Sequence, residues 1–86
     1  MYTVLISGRF DSYPVTNGLF DNRDYAFKHA EKLAAEYWAR DYADDWGMDF
    51  VSACEDYDAV AFGSDSISLD DGDKSFTVIN FIVNNS

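Results

Sequence analysis

Apolar and polar positions alternate, cluster and recur along this chain in ways that mark out most of its elements. Tyr2 to Phe10 reads as a first strand: Tyr2, Val4 and Ile6 share one face and Leu5 backs them on the other. Asp11 to Gly18 holds the only proline and an Asn17-Gly18 pair, so it reads as loop or turn. That pair would either close a tight hairpin, by supplying positive φ, or sit in a plain connection. From about Arg23 to Trp46 the period becomes helical. Ala26, Phe27, Ala30, Leu33, Ala34, Tyr37 and Trp38 recur at three- and four-residue spacing and form one apolar stripe. Lys28, Glu31, Lys32 and Glu36 fall on the other side. Asp21 or Asn22 suits the N-cap, Asp24 places an acid in the first turn, and Gly47 suits the position just past the end.

After the helix the runs are shorter. Asp49 to Cys54 reads as a strand or a short extended segment, and Glu55 to Asp58 as a turn. Ala59 to Gly63 and Ser66 to Leu69 are short strands. Asp70-Asp71-Gly72-Asp73 is a turn signal before Phe76 to Val83, whose β-branched and aromatic residues suit a central strand. Asn84-Asn85-Ser86 is a polar tail. The expected fold class is α+β: one long amphipathic helix packed on a mostly antiparallel sheet of three to four strands. Its 86 residues suit a single acidic domain over residues 1–86.

Charge changes this picture more than composition does. The net charge is −10, from sixteen acids and six bases. Residues 1–40 hold five of each and are balanced. Residues 41–73 hold eleven acids and no base, and residues 74–86 add only Lys74. The imbalance therefore belongs to one segment. Such a field repels nucleic acid and anionic membrane and attracts basic surfaces, over a screening length of ~8 Å at physiological salt. Direct nucleic-acid binding is opposed for the same reason, because phosphates need Lys and Arg to release their counterions. No apolar run approaches the ~20 residues of a membrane-spanning helix. No targeting segment is evident at the start, and Cys54 is the only cysteine, so no internal disulfide forms. Both observations favour a cytoplasmic protein.

Candidate chemistry is sparse. His29 is the only histidine, and neither it nor Cys54 sits in a nucleophile motif. The plainer reading makes His29 a residue at the stripe's edge and Cys54 a small buried hydrophobe. Paired carboxylates carry no signal where acids are so many. A calcium loop fails on register: with Gly72 at the sixth loop position, Ile67 and Leu69 fall where ligands belong. No enzyme activity, metal or cofactor is expected.

The acidic band is the remaining constellation. On a continuing helix, Asp41, Asp44, Asp45 and Asp49 would share one face, with neighbours ~5–6 Å apart. On a strand, Asp56 and Asp58 would stand ~6.6 Å apart on one face. Glu55, Asp70, Asp71 and Asp73 complete the pool, and Tyr42, Trp46 and Tyr57 lie among the acids. DNA carries one charge per ~3.4 Å of axis on each strand, so a fixed carboxylate row can resemble it. Acids would steer a basic partner and exposed aromatics would anchor it. A bland reading stands beside this one: acid runs keep proteins soluble, and Tyr42, Trp46 and Phe50 serve as core. The three acids at the helix end oppose its dipole, so local stability does not ask for them.

In size, charge and aromatic content the chain resembles the small acidic inhibitors of phages and mobile elements, of the DNA-mimic antirestriction and anti-CRISPR type. The residues behind the resemblance are the base-free stretch from Asp41 to Asp73 and the single stripe helix from Ala26 to Trp38. The resemblance implies a non-enzymatic inhibitor that occupies the basic channel of a nuclease or CRISPR effector subunit in the cytoplasm of a host cell. An acidic antitoxin or immunity-type protein that neutralises a basic toxin is the alternative. A homodimer is a further expectation, since one helix and its sheet leave apolar residues to spare.

Overall fold

In a computed structural model, residues 1–9 and 15–80 are described. The expectations for Phe10 to Pro14 and for Phe81 to Ser86 lie outside them. The described strands are β1 (Tyr2–Gly8), β2 (Val15–Phe20), β3 (Val60–Phe62), β4 (Ser66–Leu69) and β5 (Lys74–Asn80). They form one antiparallel sheet in the order β2-β1-β5-β4-β3. A helix of 24 residues packs on it, so the fold is α+β. The helix comprises α1 (Arg23–Tyr37), a wider π-helical turn at Trp38–Tyr42, and a last turn α2 (Ala43–Trp46).

The sheet exceeds the expected three to four strands because β2 is a strand. Asn17-Gly18 does not close a hairpin; it lies inside β2. Gly18 takes φ +84 there, where the β1–β2 register shifts between Tyr2 and Val4. A Cβ on Gly18 would stand 2.5 Å from the ring of Phe20, so only glycine fits. Thr3 Oγ1 donates to Gly18 O at 2.5 Å and holds the irregular strand in place.

The segment expected to be extended at Asp49–Cys54 is instead a short helix, α3 (Phe50–Ala53). Asp49 explains it: its carboxylate accepts the Ser52 N–H at 2.8 Å, which is N-cap geometry. Asn22 likewise caps α1 by accepting from Asp24 N, and Gly47 ends α2 at φ +66.

The apolar stripe and the alternating strands meet in one core. Ala30, Leu33, Ala34 and Trp38 pack against Val4, Ile6, Ile67, Leu69 and Phe76. Trp38 is fully buried, and its indole N–H donates to Met48 O at 2.9 Å, so the largest core side chain leaves no polar atom unpaired. Among the described residues no helix is long and apolar enough to cross a membrane.

Candidate functional site

The acidic segments, distant in sequence, converge at one end of the molecule. Two aromatic side chains at the end of the long helix do this. Tyr42 Oη donates to Asp73 Oδ2 at 2.7 Å, and Trp46 Nε1 donates to Asp70 Oδ1 at 3.2 Å. The helix end, with Asp41, Asp44 and Asp45, is thereby tied to the turn between β4 and β5. That turn is tied in its own right to the segment before β3: Asp70 N donates to Ala59 O and Asp71 N to Asp58 O. Three acidic stretches are thus brought to one end of the molecule.

The turn is built for this position. Asp70 and Asp71 take φ near +52 and +53, and Gly72 takes +86. Three successive left-handed residues reverse the chain sharply, and Asp tolerates that region better than most side chains.

The expected site residues fall into distinct roles. Asp44, Asp45, Glu55, Asp58 and Asp71 are exposed, and their carboxylates make no hydrogen bond or ion pair among the described residues. Asp41 is paired with Arg40 through contacts of 2.8 and 3.0 Å, and the guanidinium holds its carboxyl below the usual range. Asp56 accepts from Asp58 N at 3.0 Å and shapes its own turn. Asp49 lies beyond Gly47, so it is not on the helix face that its spacing suggested. As a cap it accepts the Ser52 backbone N–H, which lowers its pKa. Asp70 and Asp73 are half-buried acceptors for Trp46 and Tyr42.

Two of the three aromatics expected to anchor a partner are occupied. Tyr42 is buried, its ring 5.8 Å from that of Trp38, and its hydroxyl is pushed to a higher pKa by burial and by Asp73. Trp46 is half-buried, 5.9 Å from Trp38 between ring centres. Both pack inward because the π-helical turn at Trp38–Tyr42 inserts a residue and changes the phase of the last helical turn. Tyr57, at 80% exposure, is the one of the three free to meet a partner.

The band is less free of bases in space than in sequence. Arg40 lies beside Asp41, and Lys74 is close enough to lower its pKa further. Arg9 reaches across to donate to Asp71 O at 2.6 Å. The approach of Arg9 depends on the pairing of β1 with β5, which sequence spacing does not show.

The residues considered for other chemistry have structural neighbours. His29 Nε2 lies 2.6 Å from Asn17 Oδ1, and its ring packs 5.1 Å from that of Phe20. Cys54 is half-buried, and burial pushes its thiol to a higher pKa, with Glu31 adding to the shift. Ile67 and Leu69 lie in the core. Among the described residues, no group of His, Cys, Asp and Glu has the arrangement to hold a metal ion. A hollow of about 540 Å³ lies between the start of α1 and the β3–β4 hairpin, with Phe27 and Phe62 on its walls. Arg23 closes one side by binding Ser64 O and Asp65. This hollow is formed by residues outside the expected acidic pool. No family model, curated protein or solved structure matches the chain.

Proposed function

We propose that the chain is a non-enzymatic inhibitor that binds a basic, nucleic-acid-binding surface of a bacterial defence complex by presenting a DNA-like face. The observation that carries this reading is the convergence of three acidic stretches, with Asp44, Asp45, Glu55, Asp58 and Asp71 exposed and unpaired among the described residues. Carboxylates fixed on folded backbone lose little conformational freedom on binding, which favours a rigid charge pattern over a flexible acidic tail. Tyr57 supplies an exposed ring beside Asp58. The acids at the end of α2 oppose the helix dipole, so their placement costs stability that binding would justify.

The partner fitting this chemistry is a protein channel or cleft rich in Lys and Arg, such as that of a nuclease or CRISPR effector subunit. Association by such a face is fast and falls with salt. The test is a pull-down from bacterial lysate at low ionic strength, eluted by a salt gradient. Nucleic-acid-binding proteins eluting early in the gradient support the proposal. A captured protein indifferent to salt, or captured equally by an Asp44→Asn, Asp45→Asn, Asp58→Asn, Asp71→Asn variant, overturns it.

A further inference from the structure

The sheet has a second face, and its chemistry differs from the rest of the surface. Residues directly opposite in the ladder share a face. Val4, Ile6, Ile67, Leu69, Phe76 and Val78 point to the helix and are buried. The alternate positions, Leu5, Ser7, Ser68, Ser75, Thr77 and Ile79, point away from it and stay half-exposed, while Thr3 on the same face is buried. None of the described strands contains an acid, although the chain has sixteen. A solvated sheet face in a chain so rich in charge would ordinarily carry some of it.

We propose that this open face is the interface of a homodimer, in which two copies pack sheet against sheet. Three observations favour a second copy as the occupant. First, two chains of charge −10 repel wherever acids meet, and the open face offers contact without an acid at its centre. Second, the face complements itself. Ser7 and Ser68 flank Ser75 in register, and Thr77 lies opposite Leu5 and Ser66. Ser68 Oγ and Ser75 Oγ are 3.4 Å apart. Each hydroxyl both donates and accepts, so a row of them can bond to its own copy across a two-fold axis. Leu5 and Ile79 add apolar area on either side of Thr77. Third, the face has the size of a weak, reversible interface. The 27 residues of the five strands, at ~4.8 by ~3.3 Å each, give roughly 430 Å². A copy laid on it buries on the order of 900 Å² in total, the range of transient pairs. Small side chains also allow the close approach that stacked sheets adopt, ~10 Å apart.

Exposed Tyr57 stands at the rim of this face, over a hollow of about 210 Å³ that it forms with Ala61, Ser68, Asp71 and Gly72. That hollow holds Asp71 and stays outside the contact, so Tyr57 and Asp71 remain open to a basic partner. The long helix lies on the opposite side of each sheet, so its acidic end stays outward in the pair.

Sedimentation velocity of the full chain tests this, across protein concentrations from about 1 to 500 µM in low and high salt. The expected result is a monomer–dimer equilibrium that tightens as salt rises, because salt screens the repulsion between acidic copies. Binding to a basic target weakens with salt, so the two proposals fail separately. Thr77→Glu, at the centre of the face, should weaken the dimer at least ~10-fold. Val15→Glu, on the edge strand, should leave it intact, and circular dichroism checks that both variants fold. A wild-type chain that stays monomeric at the highest concentration in high salt overturns the proposal. So does a dimer broken by Val15→Glu and not by Thr77→Glu.

Discussion

The phenol of Tyr42 donates to Oδ2 of Asp73 across 2.7 Å, and this bond joins the end of the long helix to the turn between β4 and β5. With the Trp46–Asp70 bond it ties two acids of that turn into the fold. Tyr42→Phe keeps the ring stacked near Trp38 and leaves a half-buried carboxylate without its donor. The expected loss is ~1–3 kcal/mol, read from urea unfolding. The variant should also change the alkaline limb of stability. Burial and Asp73 raise the Tyr42 pKa in the folded state above its unfolded value near 10. The contribution is thus complete below pH ~10 and is lost as pH rises towards the folded pKa. Wild type should lose stability above that pH more steeply than Tyr42→Phe. Parallel curves would contradict this.

Gly18 allows β2 to exist as a strand. Gly18→Ala places a Cβ against the Phe20 ring and forces an L residue to φ +84. We expect a loss of more than ~1 kcal/mol, with the amides of residues 15–20 becoming the fastest to exchange among the strands. Unchanged exchange in β2 would refute that role.

The carboxyl of Asp49 holds the start of α3 by accepting the Ser52 N–H, and its folded pKa is lowered for that reason. Its contribution is present above the unfolded carboxyl pKa and is lost as pH falls through the folded one. Asp41 behaves in the same sense through Arg40. Asp49→Ala should lower the melting temperature at neutral pH and narrow its difference from wild type below pH ~4. A difference independent of pH would show that the carboxylate's charge is not what caps the helix.

Much of the fold was legible because long periodic segments state their own geometry. The stripe from Ala26 to Trp38 named the helix and its buried face, and Gly47 named its end. The turn at Asp70–Asp73 and strands β3 and β4 followed from short runs bounded by turn residues. β2 was missed because Asn17-Gly18 signals a hairpin in most settings, while here the glycine serves a strand irregularity against Phe20. α3 was missed because its four residues, Phe-Val-Ser-Ala, include β-branched and aromatic types, and only the cap at Asp49 reveals a helix. The acidic pool was legible as composition. Its division into paired, capping and exposed acids was not, because it depends on contacts such as Tyr42 with Asp73, 31 positions apart. The inward packing of Tyr42 and Trp46 was obscured by the π-helical turn, which no spacing rule anticipates.

Asp44 and Asp45 separate stability from binding. Both lie in α2 at the negative end of the helix dipole, with no partner among the described residues. Converting both to Asn removes the unfavourable interaction and should stabilise the fold by ~0.3–1 kcal/mol for each at low salt. The same double variant should bind a basic partner more weakly. A variant that loses stability would mean that these acids serve the fold.

Competition with DNA tests the proposal that the converged acidic end takes the place of DNA on a basic protein. A protein captured at low salt is held in complex with the wild-type chain, and duplex DNA is titrated in. Mutual displacement is expected, with the Asp44→Asn, Asp45→Asn, Asp58→Asn, Asp71→Asn variant losing at least ~10-fold in its ability to compete. Simultaneous binding of DNA and this chain, or equal competition by wild type and variant, would contradict it.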